Sequence, residues 1–195
     1  ADALGLGHAI LCAKHLINNE PFAVLLPDVL VLDKQNRGKN FSLNNLINAW
    51  NKSGIGQVMA EQVDTIDIEK FGIIDIGGRK INLFNSTPIL SIIEKPSIQN
   101  APSNLAAMGR YILPPEVFKI LESTKPGIGN EIHLTDALLE LQIEKGLNAV
   151  ITDANIYDCG DKLGFLGANL AVGMQDPKSR ENIITLFDKL INDEL

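Results

Sequence analysis

Long apolar runs are missing from this 195-residue chain; none approaches the ~18 residues that a membrane span needs. No stretch reads as a secretory signal, so a cytoplasmic setting is expected. Cysteine is scarce, with only Cys12 and Cys159. Two are too few for a disulfide scaffold and suit a reducing compartment. A surplus of positive charge is also lacking. Lys and Arg number 17 against 24 Asp and Glu, the formal net charge is −7, and the pI is near 4.9. Coating a nucleic-acid polymer requires clustered cations, so that class is set aside. A nucleotide substrate stays open, because one triphosphate needs only a few local cations and a metal. There is no internal repeat and no Gly-x-Ser-x-Gly motif. Three scattered histidines do not supply the three or four ligands of a zinc centre.

What is present is an ordinary globular composition, 45% hydrophobic and 21% charged, which excludes wholesale disorder. The length suits one domain, or one with a small appendage. Helical and strand patterns alternate, the mark of an α/β layer fold. Residues 9–17 predict a helix starting after Gly7. Phe22–Leu26 predicts a buried strand, stopped by Pro27. Residues 33–42 read as a loop, with Ser42 capping a helix whose Leu43, Leu46, Ile47 and Trp50 share a face. Strands are expected at 57–63, 89–93 and 105–113. Residues 71–84 predict a hairpin turned by Gly77-Gly78. Pro114-Pro115 opens a helix through Leu121, and Thr135 or Asp136 caps another to about Lys145. Short strands at 149–151 and 156–157 precede a helix over 162–174. After Pro177 a last amphipathic helix places Ile183, Ile184, Phe187, Leu190 and Ile191 on one face.

Several segments carry chemistry-bearing residues. Gly5-Leu6-Gly7-His8 is a glycine pair leading into a helix, where backbone can approach a ligand and anions are favoured. Most such pairs are mere turns, and no strand or third glycine makes this a dinucleotide fingerprint. A histidine at a helix start is more often a surface residue than a catalyst. Pro27-Asp28 sets a carboxylate after a strand, suited either to Mg²⁺ or to capping its own loop. Asp158-Cys159-Gly160 repeats that logic; Cys159 has no evident base and reads as a packed side chain. Glu94-Lys95-Pro96 puts an acid and a base together at a strand end. A carboxylate can accept sugar hydroxyls and an ammonium can neutralise a phosphate, while the plainer alternative is a solvated edge pair. Glu131–Asp136, with His133 and Thr135, reads as capping and loop ordering.

In order, Gly5-Leu6-Gly7-His8-Ala9, Leu26-Pro27-Asp28-Val29, Glu94-Lys95-Pro96, Ala101–Ala106, Gly109-Arg110-Tyr111, Glu131–Asp136 and Asp158–Gly164 are far more specific than any one alone. Across residues 4–174 the chain resembles the bacterial UTP–glucose-1-phosphate uridylyltransferases, or UDP-glucose pyrophosphorylases. The resemblance implies a Rossmann-like nucleotidyltransferase sheet and uridylyl transfer from UTP to glucose 1-phosphate, giving UDP-glucose and pyrophosphate with Mg²⁺. It implies Asp28 as the main Mg²⁺ ligand and Asp158 as a second. It further implies Lys95 on the sugar phosphate, Glu94 on glucose hydroxyls, Gly5 and Gly7 near the uridine, and Gly72 and Gly109 where backbone approaches glucose. Lys95 and Asp28 would be the catalytic pair. Residues 1–176 would form the nucleotidyltransferase domain and 177–195 a helix for assembly into a homo-oligomer.

One departure is large. The family's Gly-x-Gly-Thr-Arg loop and its preceding strand have no counterpart here, and the chain opens on Ala1 without a Met. The expectation is therefore a piece lacking the first strands of the sheet, inactive by itself and prone to associate. The alternatives are a non-catalytic homologue that binds sugar nucleotides or modulates a paralogue, and a sibling enzyme using dTTP or another sugar phosphate.

Overall fold

The Gly5 carbonyl accepts the Ala9 amide at 3.1 Å, so the first helix begins at Leu6 and not after Gly7. The structure is a computed structural model that describes residues 4–38 and 41–192. The helix expected as one piece is two, α1 (Leu6–Cys12) and α2 (Lys14–Ile17), broken at Ala13. Strand β1 (Phe22–Leu25) follows. It was expected to be buried, yet Ala23 and Leu25 are exposed while Phe22 and Val24 turn inward. It is a half-buried strand, and among the described residues it pairs with one other strand.

β2 (Val29–Asp33) has no counterpart in the sequence reading. α3 (Phe41–Ser53) starts before Ser42, which sits buried in its first turn and is no cap. Its buried residues are Ser42, Leu46 and Ala49, so the core face is rotated from the expected one and Ile47 is exposed. The polar segment before it is held by Arg37. That guanidinium pairs with Asp33 and, at 3.1 Å, with Asp153, and lies 3.9 Å from the Phe41 ring centroid and 5.2 Å from that of Phe84.

β3 (Gly56–Gln62), a 3₁₀ turn (Thr65–Lys70) and β4 (Gly72–Asp75) come next. Gly77 and Gly78 do turn the chain, with φ of 63° and 67°. The predicted hairpin is nevertheless wrong, because β4 pairs with a later strand. β5 (Ser86–Pro88) is followed by β6 (Ser91–Glu94), and β6 is the antiparallel partner of β4, with Gly72 opposite Glu94 and Ile74 opposite Ile92. β7 (Leu105–Leu113) has the predicted bounds. α4 (Val117–Ser123), α5 (Leu134–Lys145), β8 (Leu147–Ile151), β9 (Ala154–Asp158), α6 (Lys162–Gly173) and α7 (Pro177–Ile191) complete the chain.

Two units are distinguished, Ala1–Leu26 with Asp33–Ala154, and Pro27–Leu32 with Asn155–Leu195. The first carries a mixed sheet in the order β5-β8-β3-β7-β4-β6, with β1 also on β7. β3 and β8 run parallel; β7 runs antiparallel to β3, β4 and β1. The pleat sends Val58 and Ala60 of β3 into the main apolar cluster with Leu121, Leu138 and Leu141 of α4 and α5. Gln57, on the other side, donates to Ser53 Oγ of α3 at 3.2 Å. Both sheet faces are therefore covered by helices, as expected of an α/β layer fold.

In the second unit β2 and β9 pair. Asp161 caps α6 by accepting the Gly164 amide, and Asp176 caps α7 by accepting the Ser179 amide, which holds the Asp176 carboxyl below its usual range. The apolar face expected on α7 exists but is open, with Ile184, Phe187, Leu190 and Ile191 all exposed.

Candidate functional site

In the first unit the pleat decides where Glu94 points. Ile92 of β6 is buried in the core against α5, so Glu94, two residues on, lies on the same side at the start of α5. There Thr135 Oγ1 donates to Glu94 Oε2 at 2.9 Å. Thr135 was expected as a helix cap. It lies inside the first turn, His133 occupies the cap position, and the hydroxyl serves Glu94. A Cβ added to Gly72, directly opposite Glu94, would stand 2.8 Å from the Thr135 methyl and 3.5 Å from Glu94 Oε2. The side-chain slot of Gly72 is filled by Thr135.

Lys95 ends the strand in the left-handed region, φ 42°. A non-glycine residue held there costs on the order of 1–3 kcal/mol, and such strain gathers at ligand sites. Its Nζ lies 4.0 Å from Glu94 Oε1, and its side chain is 61% exposed. The ammonium is thus close to one oxygen of Glu94 while Thr135 holds the other.

Gly109 interrupts β7 with φ 48°, at the bulge where the register against β3 shifts. Its carbonyl accepts the Leu26 amide at 2.9 Å and an Arg110 N–H at 3.0 Å. Tyr111 follows, buried; burial pushes its phenol up, and the Glu94 charge pushes in the same direction. Glu94 therefore has Thr135, Gly72 and Lys95 beside it, of which the motif reading had singled out Gly72 and Lys95 for this site.

Gly5 and Gly7 sit at the start of α1 against residues 131–132. The Gly7 amide donates to the Ile132 carbonyl at 2.8 Å, and the Ile132 amide to the Leu4 carbonyl at 2.8 Å. A Cβ on either glycine would lie within 3 Å of Ile132 O. Close chain packing explains both glycines. His8 lies with its ring 3.8 Å from Cys12 Sγ.

In the second unit Asp28 and Asp158 come together. The Cys159 amide donates to the Asp28 carbonyl, and the Gly160 amide to Asp158 Oδ1 at 2.8 Å. A Cβ on Gly160 would be 3.0 Å from Asp158 Oδ1 and 3.7 Å from Asp28 Oδ2, so both carboxylates border one point. Neither forms an ion pair among the described residues. Two hard oxygen donors without a cation partner fit Mg²⁺, which takes one or two carboxylates and fills its shell with water and phosphate. Among the described residues no cluster of three or more His, Cys, Asp or Glu could hold a metal. Gly164 closes the Asp158–Gly164 motif, but the sequence reading gave it no role beyond a glycine tolerated in a helix. A Cβ there would fall 1.7 Å from the Asp158 carbonyl, so only glycine lets α6 start against Asp158.

The model of the nucleotidyl transferase family matches residues 1–174. A UTP–glucose-1-phosphate uridylyltransferase of Haemophilus influenzae is 41% identical over 177 residues, covering 91% of this chain and 60% of that protein. One of Escherichia coli K12 is 37% identical over 173 residues, 89% of this chain and 57% of that one. Among solved structures, a UTP-bound UGPase of Acinetobacter baumannii is 40% identical with a TM-score of 0.84, covering 96% of this chain and 62% of that chain. A UDP-glucose pyrophosphorylase complexed with UDP-glucose is 38% identical with a TM-score of 0.82, covering 90% and 64%. The chain spans about three-fifths of the length of these relatives. With its mixed α/β sheet and a family match that runs from residue 1 to residue 174, the chain belongs to the nucleotidyl transferase family.

Proposed function

We propose that the protein transfers a uridylyl group from UTP to glucose 1-phosphate, releasing pyrophosphate and forming UDP-glucose. The observation that carries this reading is the Glu94–Lys95 step: a carboxylate clamped on one oxygen by Thr135, beside an exposed ammonium on strained backbone. Glu94 accepts glucose hydroxyls, and Lys95 places a positive charge for the sugar phosphate. Asp28 and Asp158 hold Mg²⁺, which when bound neutralises phosphate charge. Transfer at phosphorus gains chiefly from positioning and charge neutralisation, so no serine or cysteine nucleophile is required. Support for uridine and glucose comes from relatives whose names state UTP, UDP-glucose and glucose 1-phosphate. A homo-oligomer and a cytoplasmic location belong to the same reading. No helix among the described residues is long and apolar enough to cross a membrane.

The test is pyrophosphate release from UTP and glucose 1-phosphate, measured on the protein as encoded and on the 195-residue chain. Release by the encoded protein supports the reading. Release with dTTP in preference to UTP transfers it to a sibling enzyme. UDP-glucose binding without any release selects the non-catalytic homologue, against which the presence of Asp28, Glu94, Lys95 and Asp158 argues.

A further inference from the structure

We infer that Thr135 is a positioning residue for sugar recognition by Glu94, and that position 72 is glycine to make room for it. The inference rests on the reading of Glu94 as the sugar-binding carboxylate. Thr135 is buried, and its hydroxyl donates to Glu94 Oε2 at 2.9 Å. One carboxylate oxygen is thereby fixed by the protein. The other, Oε1, lies 4.0 Å from the Lys95 ammonium, beyond hydrogen-bond reach, so its lone pairs can accept neighbouring hydroxyls of a hexose. The hydroxyl also sets the plane of the carboxylate, which an exposed glutamate would leave free to rotate.

Position 72 supplies the other half. It pairs directly with Glu94 across β4 and β6, and its missing Cβ would stand 2.8 Å from Thr135 Cγ2. The next atoms are at 3.5 Å and 3.6 Å, ordinary contacts. The clash is therefore with the threonine methyl alone, and serine at 135 would remove it while keeping the hydroxyl. Alanine at 72 pushes Thr135 and breaks its bond to Glu94; alanine at 72 with serine at 135 restores it.

The experiment compares calorimetric affinities for UDP-glucose and UDP in the protein as encoded, so that the glucose increment is read separately from the nucleotide. Thr135→Val and Gly72→Ala are each expected to shrink that increment roughly tenfold, the size of one hydrogen bond to a charged group. Their UDP affinity should be unchanged. Thr135→Ser should keep the increment, and Gly72→Ala with Thr135→Ser should recover it. An intact increment in Thr135→Val overturns the positioning role, and a double variant no better than Gly72→Ala overturns the steric account. If the unaltered protein binds UDP-glucose no better than UDP, the sugar reading of Glu94 falls first. The steric account is then read in thermal melts, where Gly72→Ala must lower the midpoint and the double variant must raise it again.

Discussion

The Cys159 amide donates to the Asp28 carbonyl at 2.7 Å, so one backbone bond ties the turn that carries Asp28 to the turn that carries Asp158. The two carboxylates differ in what they have left to offer. Asp158 already spends Oδ1 on the Gly160 amide, while Asp28 is exposed and has no side-chain partner among the described residues. Asp28→Asn is expected to weaken Mn²⁺ binding in the presence of UTP by roughly tenfold or more, and Asp158→Asn by less. Water-proton relaxation with Mn²⁺ measures both. Equal affinity in Asp28→Asn and the unaltered protein would remove Asp28 as a ligand.

Gly164 offers an independent route to the same pair. Alanine there would need to occupy a point 1.7 Å from the Asp158 carbonyl, so the first turn of α6 must move away. Gly164→Ala should weaken Mn²⁺ binding as Asp158→Asn does, although no ligand is deleted. By contrast Gly167→Ala, whose Cβ would meet Tyr157 at 3.7 Å, an ordinary contact, should bind Mn²⁺ normally.

Arg37 uses both charge and shape, pairing with Asp33 and Asp153 and stacking on Phe41. Lysine keeps the charge but has neither the planar fork nor the flat face. Arg37→Lys is therefore expected to behave nearly like Arg37→Ala, with faster tryptic nicking after Lys34, a site that both variants keep. Limited proteolysis followed by mass analysis decides this; nicking at the unaltered rate in Arg37→Lys would mean that charge alone closes the loop.

Glu61 gives a pH dependence of defined sign. Burial raises its carboxyl above the ordinary 4.5, and Lys34 only partly opposes this. The folded state therefore holds that proton more tightly than the unfolded one. Its favourable contribution is complete below pH 4.5 and is lost as pH rises through the raised value. Glu61→Gln should be more stable than the unaltered protein at pH 7, with the gap closing below pH 4.5. Urea midpoints at both pH values measure it.

Much of the fold was legible wherever one local signal sufficed. Leu105–Leu113 was read to the residue because a strand covered on both faces leaves a run that is apolar but for Gly109 and Arg110. Gly77-Gly78 was read as a turn because the chain needs left-handed backbone there, but a turn does not say which strand the chain will meet. That partner, β6, is selected by packing against α5. Thr135 escaped for a similar reason. A threonine at a helix start reads as a cap, and only the register of β6 brings Glu94 to it. Glu94, Lys95, Asp28 and Asp158 were visible because polar residues at strand ends stand out against apolar runs. Gly164 was visible as the end of a motif but its role was not, since a glycine in a helix looks like a weakness until the neighbouring carbonyl is seen.

The long strand β7 also sets an order of assembly. It is the partner of β1, β3 and β4, all of which precede it in the chain. During synthesis none of these three ladders can close until residues 105–113 have emerged, and on refolding each needs a long loop to close first. The β4–β6 ladder can close earlier, but the sheet is joined across its middle only late. A chain stalled before Leu105 exposes three apolar strands without their shared partner, and self-association competes with folding at that stage.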